Sequence, residues 1–298
     1  MCYRHRPKGV GAQMNIQTFG GLGFEVDDRW IYPAFSNEMT GVLGALIYNN
    51  YQPLLCERLV EEIWPKTSVK KTRSALNTLI WRLNGLTAEL DPDHTLKIIR
   101  NKDQIMFSSY LSGVDIDFMK LKAVVHRLEK SQITGKKYQS EDITDLVSTL
   151  DLYKGDFIPK LQSDWALIAR ERYRSIYIRG CEIALKAIAD KRCFERAISF
   201  SKKILLENPY RENTRRQLIW LYVMNGQRAE AKKAYAETQT ILHDELGVAP
   251  MPETKSLLKL IECHDEKIIN NDLDFSELMS SIQSERHTVF NELLSLPD

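Results

Sequence analysis

Missing first of all is any long apolar run: nothing in the 298 residues approaches the ~20 consecutive apolar side chains of a membrane span. No membrane association is expected. The opening residues, MCYRHRPKGVGAQ, are basic but hold no apolar core of the kind a secretory signal requires, so they do not indicate export. Residues 1–13 read as a disordered basic arm, with Met14 as the candidate biological start. Cysteine is sparse: Cys2, Cys56, Cys181, Cys193 and Cys263 are odd in number, far apart and never in CxxC spacing. That usage points to a reducing, cytoplasmic setting and not to a disulfide framework. Cys263 adjoins His264, but without a second ligand pair the two read as ordinary helix residues. No metal site and no cofactor are expected. Excess charge is also missing. The 41 Lys and Arg nearly cancel the 40 Asp and Glu, giving +1, which excludes a globally basic DNA-coating protein. Any nucleic-acid site must be a local patch. The six histidines are scattered, with no Ser/His/Asp or Cys/His arrangement around them, so an enzyme is not expected.

What is present is apolar material for a real core, 43% of a chain long enough for two domains. From Asn15 to Tyr32, short β-rich runs (IQTF, LGFEV, RWIY) alternate with turn signals at Gly20-Gly21 and Asp27-Asp28. A helix follows, capped by Ser36 or Asn37, with Val42, Leu43, Leu46 and Ile47 as its apolar stripe. A second helix, LCERLVEEIW, is expected to bury Leu55, Leu59, Ile63 and Trp64 and to stop at Pro65. A third helix and a β-rich segment, LKIIRNKDQIMF, complete a sheet–three-helix–hairpin order. That is the order of a winged helix-turn-helix with an extra amino-terminal sheet.

The third helix carries the chemistry. Between Lys70 and Leu86 its apolar positions are Ala75, Leu76, Leu79, Ile80, Leu83 and Leu86, one stripe at helical spacing. The opposite face carries Lys70, Lys71, Arg73, Ser74, Asn77, Thr78, Trp81 and Arg82. From Ile63 to Ala88 there is no acid, against five basic residues: Lys66, Lys70, Lys71, Arg73 and Arg82. In a chain otherwise balanced in charge, this is a local positive field. It suits phosphate contacts and places Asn77, Thr78 and Arg82 for base edges in a major groove. A solvated helix face is the plainer alternative.

LCERLVEEIWP followed by RSALNTLIWRL resembles the pattern of OmpR-type winged-helix domains. The resemblance implies base-facing roles for Asn77, Thr78 and Arg82, and a backbone-contacting role for Ser74. It makes the hairpin around Arg100, Asn101 and Lys102 a wing beside the minor groove. Trp81 stands where a small or basic residue is usual, Asn84 replaces a second Arg, and Gln104-Ile105-Met106 replaces the usual wing ending. These departures leave the fold intact and bear on base preference and phosphate contact.

Past Leu111 the β signals end and the remainder reads as helical. Phe118, Leu121, Val124, Val125 and Leu128 mark one helix, and Ile143, Leu146, Val147, Leu150 and Tyr153 another. Shifted by 34 residues, the chain matches itself: Leu185 falls on Ile219 and Ala197 on Ala231. This is the tetratricopeptide period, with a small residue where paired helices cross. LYKGDFIPKL, WALIARERYRSIY, two such repeats and the ending LHDELGVAPMPET together resemble the bacterial transcriptional activator domain. That helical module follows an OmpR-type winged helix in the antibiotic-regulatory-protein type of activator. Gly155, Asp156, Phe157, Trp165, Glu171 and Arg172 match its opening, and Glu245 to Gly247, Pro250 and Pro252 to Thr254 match its ending. No GxxxxGK[ST] phosphate loop is found.

The expected fold is thus mainly α with a small β-containing amino-terminal domain: a winged helix-turn-helix followed by tetratricopeptide-like helical repeats. The expected domains are the arm, a winged-helix DNA-binding domain at 14–110, a bacterial transcriptional activator domain at 111–263, and a tail at 264–298. The tail holds eight acids against Lys267 and Arg286, and reads as an amphipathic partner-docking segment or a repeat cap. The function read is a sequence-specific, DNA-binding transcriptional activator. Its partners would be double-stranded promoter DNA, RNA polymerase and a second copy on tandem repeats. The alternative is a helical-repeat adaptor whose winged helix no longer binds DNA.

Overall fold

The computed structural model describes residues 14–26, 29–49, 52–64, 69–90, 96–107 and 114–262. The expected arm, the acidic tail, Pro65, the residues 108–113 and Cys263 lie outside the described residues. Two compact units are formed, neither of them a continuous stretch. Of the described residues, one holds those from Met14 to His126 together with Ser148–Ile176; the other holds Arg127–Val147 together with those from Tyr177 to Glu262.

In the first unit, β1 (Met14–Gln17), β2 (Gly23–Val26) and β3 (Arg29–Ile31) follow one another as the turn signals require. Gly20 sits at φ 77°, where a Cβ would stand 2.9 Å from the Lys154 carbonyl oxygen; only glycine fits. The Ser36 hydroxyl accepts from the Met39 N–H and starts α1 (Asn37–Tyr48), whose Val42, Leu43, Leu46 and Ile47 are buried. Leu55 departs from expectation. It lies in a short strand β4 (Leu54–Leu55), is 56% exposed, and precedes α2 (Cys56–Ile63). Pairing of Leu54 with Ile105 and of Leu55 with Gln104 holds that backbone extended, so the helix begins one residue later and buries Cys56 and Leu59. Next come α3 (Val69–Leu90), then β5 (Ile98–Asn101) and β6 (Gln104–Phe107), a hairpin whose sheet runs in the order β4-β6-β5.

The β structure does not end at Leu111. A strand β7 (Val114–Ile116) lies parallel to β1, with Met14 opposite Val114 and Ile16 opposite Ile116. The resulting sheet runs β3-β2-β1-β7. Immediately after β7, α4 (Asp117–Ile133) opens on a buried carboxylate. Asp117 accepts from the Thr18 N–H and hydroxyl, the Phe19 N–H and the Phe118 N–H. Four donors on one side chain fix the end of β1 against the start of α4.

The GDF motif closes the same unit. Gly20 N–H donates to the Asp156 carbonyl at 2.9 Å, Ile158 N–H to the Thr18 carbonyl at 2.8 Å, and Phe19 bridges Phe157. Gly155 takes φ 136°, a backbone conformation that side-chain-bearing residues rarely adopt. Around Phe157 gather Tyr48, Phe118, Trp165 and Tyr173, with ring centroids 5.3–6.3 Å away, as tilted and edge-on aromatic pairs prefer. Arg170, from α6 (Asp164–Asp190), is buried and donates to the carbonyls of Phe157, Ile158 and Leu161. The motif boundary at residue 110 is therefore not a boundary of packing.

In the second unit, α7 (Phe194–Glu207) and α9 (Arg228–Leu246) begin 34 residues apart (228 − 194), which is the internal period of the sequence. Arg192 at φ 57° and Gly226 at φ 72° occupy equivalent turns, again 34 apart (226 − 192). Ala197 on α7 and Ala231 on α9 are completely buried, and both helices pack on α8 (Glu212–Met224). Earlier in the chain, α5 (Ser140–Leu150) buries Ile143, Leu146 and Leu150, while Tyr153 falls beyond its end. The firm ending at 242–254 also has its cause. Gly247 takes φ 66°; its N–H reaches the His243 carbonyl and the Val248 N–H the Leu242 carbonyl, closing the helix. Glu212 of α8 (Glu212–Met224) then accepts from the Met251 N–H at 2.7 Å and the Thr254 hydroxyl at 2.6 Å. Arg216 reaches that hydroxyl as well, so α10 (Pro252–Glu262) is anchored at its first turn with Leu257 and Ile261 buried.

Phe157→Ala should destabilise the chain by ~3–5 kcal/mol, read from its denaturant midpoint; a loss under 1 kcal/mol would mean the aromatic cluster is not tightly packed. Burial pushes the Asp117 carboxyl up to about 6 from its ordinary 3.8, against four hydrogen bonds that favour the charged form. The folded chain then keeps a proton there that the unfolded chain has already lost. The stability from this group is fully present below pH ~4 and is lost as pH rises to ~6. The melting-temperature difference between the wild type and Asp117→Asn should therefore shrink across pH 4–6 and stay level above it. A difference that grows across that window would mean the hydrogen bonds outweigh burial.

Candidate nucleic-acid interface

On α3 the burial pattern follows the apolar stripe: Leu76, Leu79, Ile80 and Leu83 are buried, and Ala75 and Leu86 half-buried. Ser74, Asn77, Thr78, Trp81 and Arg82 all face solvent. Trp81 is 76% exposed, a large apolar cost for a side chain with no packing role in its own unit. The Thr78 hydroxyl donates to the Ser74 carbonyl at 3.1 Å. Lys70, Lys71 and Arg73 belong to the first turns of α3, and their side chains lie outside the described residues.

The hairpin is held onto this helix by two polar ties. Asn84 accepts from the Ile98 N–H at 2.7 Å and donates to the Ile98 carbonyl at 2.8 Å. An asparagine thus pairs with the outer edge of β5 as a further strand would. Seven residues earlier on the helix, the Asn77 Oδ1 accepts from Arg100 Nη1 at 2.8 Å. The Arg100 Nε donates to the Lys102 carbonyl at 3.2 Å, across a tight turn where Lys102 takes φ 52°. A third tie, from the Cys56 N–H to the Asp103 carbonyl at 2.7 Å, joins the turn to the start of α2. Burial pushes the Cys56 thiol up, opposed by the nearby Arg100 guanidinium.

Of the residues singled out on the sequence, the structure thus brings together Asn77 and Arg100, with exposed Asn101 and Lys102 on the same hairpin. Asn84, which stood out on the sequence only as a departure from the family pattern, is the clamp that sets the hairpin against the helix. No sequence signal distinguishes a clamping asparagine from any other. The adjacent α2 is acidic on its exposed side, with Glu57 and Glu61, while Glu62 pairs with Arg58 at 3.4 Å. A phosphate chain would meet repulsion there, so the approach open to a polyanion is over α3 and the hairpin. Among the described residues no group of three His, Cys, Asp or Glu is placed to hold a metal, and no helix is long and apolar enough to cross a membrane.

Residues 116–261 match the family model of the bacterial transcriptional activator domain. The chain is similar to the regulatory protein AfsR of Streptomyces coelicolor, 24% identical over 226 residues that make up 76% of this chain and 22% of that protein. It therefore spans about a fifth of the AfsR length. The transcriptional regulatory protein MoaR1 of Mycobacterium tuberculosis is 24% identical over 261 residues, 84% of this chain and 82% of its own. Among solved structures, Mycobacterium tuberculosis EmbR, determined with a low-affinity phosphopeptide, matches with a TM-score of 0.65 at 18% identity, over 94% of this chain and 71% of that one. At that identity the likeness is one of fold. The homologues are transcriptional regulators.

Asn84→Ala should lower the unfolding free energy by ~1–3 kcal/mol, because Ile98 loses both partners at a half-covered edge. An unchanged denaturant midpoint would mean the clamp carries no load.

Proposed function

We propose that this chain is a sequence-specific DNA-binding transcriptional activator, with α1–α3 and the β5–β6 hairpin acting as a winged helix-turn-helix and α3 as its reading helix. The observation that carries the reading is one surface: exposed Ser74, Asn77, Thr78, Trp81 and Arg82 on α3, with Arg100 of the hairpin bonded to Asn77. Phosphate contacts come from Lys70, Lys71, Arg73 and Lys102, and base contacts from Asn77, Thr78 and Arg82. The 34-residue helix pairs act as tetratricopeptide-like repeats, used for self-association, effector sensing or contact with RNA polymerase. A groove of about 390 Å³ between α7, α8 and α9, lined by Leu205, Leu206, Leu218 and Tyr222, is one surface available to such partners. The likeness to transcriptional regulators supports this reading.

A single winged helix reads few base pairs, so two copies side by side on direct repeats, about 10–11 base pairs apart, account best for specific affinity. The acidic α2 favours the alternative, an adaptor that no longer binds DNA.

One titration separates the two. Binding to the promoter region beside its own gene, followed by gel shift across a salt series, should weaken steeply as salt rises. Lys71→Ala should weaken all duplexes about equally and lower the salt slope by about one unit. Arg82→Ala should cost ~1–3 kcal/mol on the preferred sequence alone. Absence of any salt-sensitive binding would favour the adaptor.

A further inference from the structure

Asparagine on a reading helix ordinarily recognises adenine with both halves of its amide: the nitrogen donates to N7 while the oxygen accepts from the N6 amino group. Here one of the oxygen's two lone pairs is already held by a cationic donor. Arg100 has donors and no acceptor, so the group of Asn77 that faces it across 2.8 Å must be Oδ1, and the amide cannot flip without losing the bond. The guanidinium is itself restrained, its Nε donating to the Lys102 carbonyl within the turn. The backbone beneath is fixed by the two bonds of Asn84 to Ile98, on the same helix and the same strand. Helix and hairpin thus hold the two side chains in register before any ligand arrives.

We propose that Arg100 is a positioning residue that sets the base preference of Asn77, weighting the pair of side chains toward donation. The inference rests on the DNA-binding reading above. With the guanidinium held on Oδ1, the amide keeps its Nδ2 donors, and Arg100 sets further donors and a positive charge beside the remaining acceptor lone pair. Guanine answers with two major-groove acceptors, N7 and O6, whereas adenine offers one acceptor and an amino group that meets the donors and positive charge of Arg100. The base pair under Asn77 is therefore read as guanine in preference to adenine, by a factor on the order of ten.

The experiment is selection from duplex DNA with a randomised core, using the full-length chain and its Asn77→Ala, Arg100→Ala and Arg100→Lys variants, each first checked by melting for an intact fold. The wild type should enrich guanine at one position, and Asn77→Ala should lose preference there and nowhere else. Arg100→Ala removes the cationic donor beside Oδ1 and should turn that position toward adenine. Arg100→Lys keeps a donor against Oδ1 and should keep guanine. An unchanged guanine in the alanine variant, or adenine in the lysine variant, overturns the inference while leaving DNA binding in place. If the wild type enriches no sequence at all, the DNA-binding reading fails and the inference falls with it.

Discussion

The first unit depends on one buried carboxylate and the aromatic cluster beside it. Asp117 gathers donors from Thr18, Phe19 and Phe118, and Phe157 sits among Tyr48, Phe118, Trp165 and Tyr173. Tyr48 is the last residue of α1, so the helix beneath the proposed reading surface rests on side chains contributed as much as a hundred residues later. The opening GDF motif has its physical meaning here. Its glycine supplies a positive φ, its backbone adds hydrogen bonds to Thr18 and Gly20, and its phenylalanine fills the cluster. The segment that matches the activator-domain model begins inside this unit, at residue 116.

The proposed reading surface is built with the same economy of polar contacts. Two asparagines on α3, Asn77 and Asn84, each engage the hairpin, one through a side chain and one through backbone. Because both lie on one helix, any shift of the hairpin would strain both. The surface is therefore preorganised, which lowers the ordering cost of binding. Trp81 stands exposed within it, the kind of uncovered apolar side chain that marks a contact surface.

Much of this was legible in the sequence. The stripe Leu76, Leu79, Ile80, Leu83 named the buried face of α3 and hence its exposed one. The 34-residue period and the αL glycine at Gly247 located the helix pairs and their end. What escaped was non-local. The strand Val114–Ile116 is too short to show a pattern, and its parallel partner lies a hundred residues away in β1. Leu55 has the character of a helix residue and yields to strand pairing, because tertiary hydrogen bonds outweigh propensity. Asn84 is chemically unremarked until Ile98 stands beside it.

The central claim, that α3 enters a major groove, is tested most directly by methylation protection at guanine N7 on bound promoter DNA. The account predicts protected guanines in two clusters on one face of the duplex, about one helical turn apart, each lost at high salt. Saturating, salt-sensitive binding that leaves every guanine N7 reactive would contradict it, and would place the chain on the phosphate backbone alone.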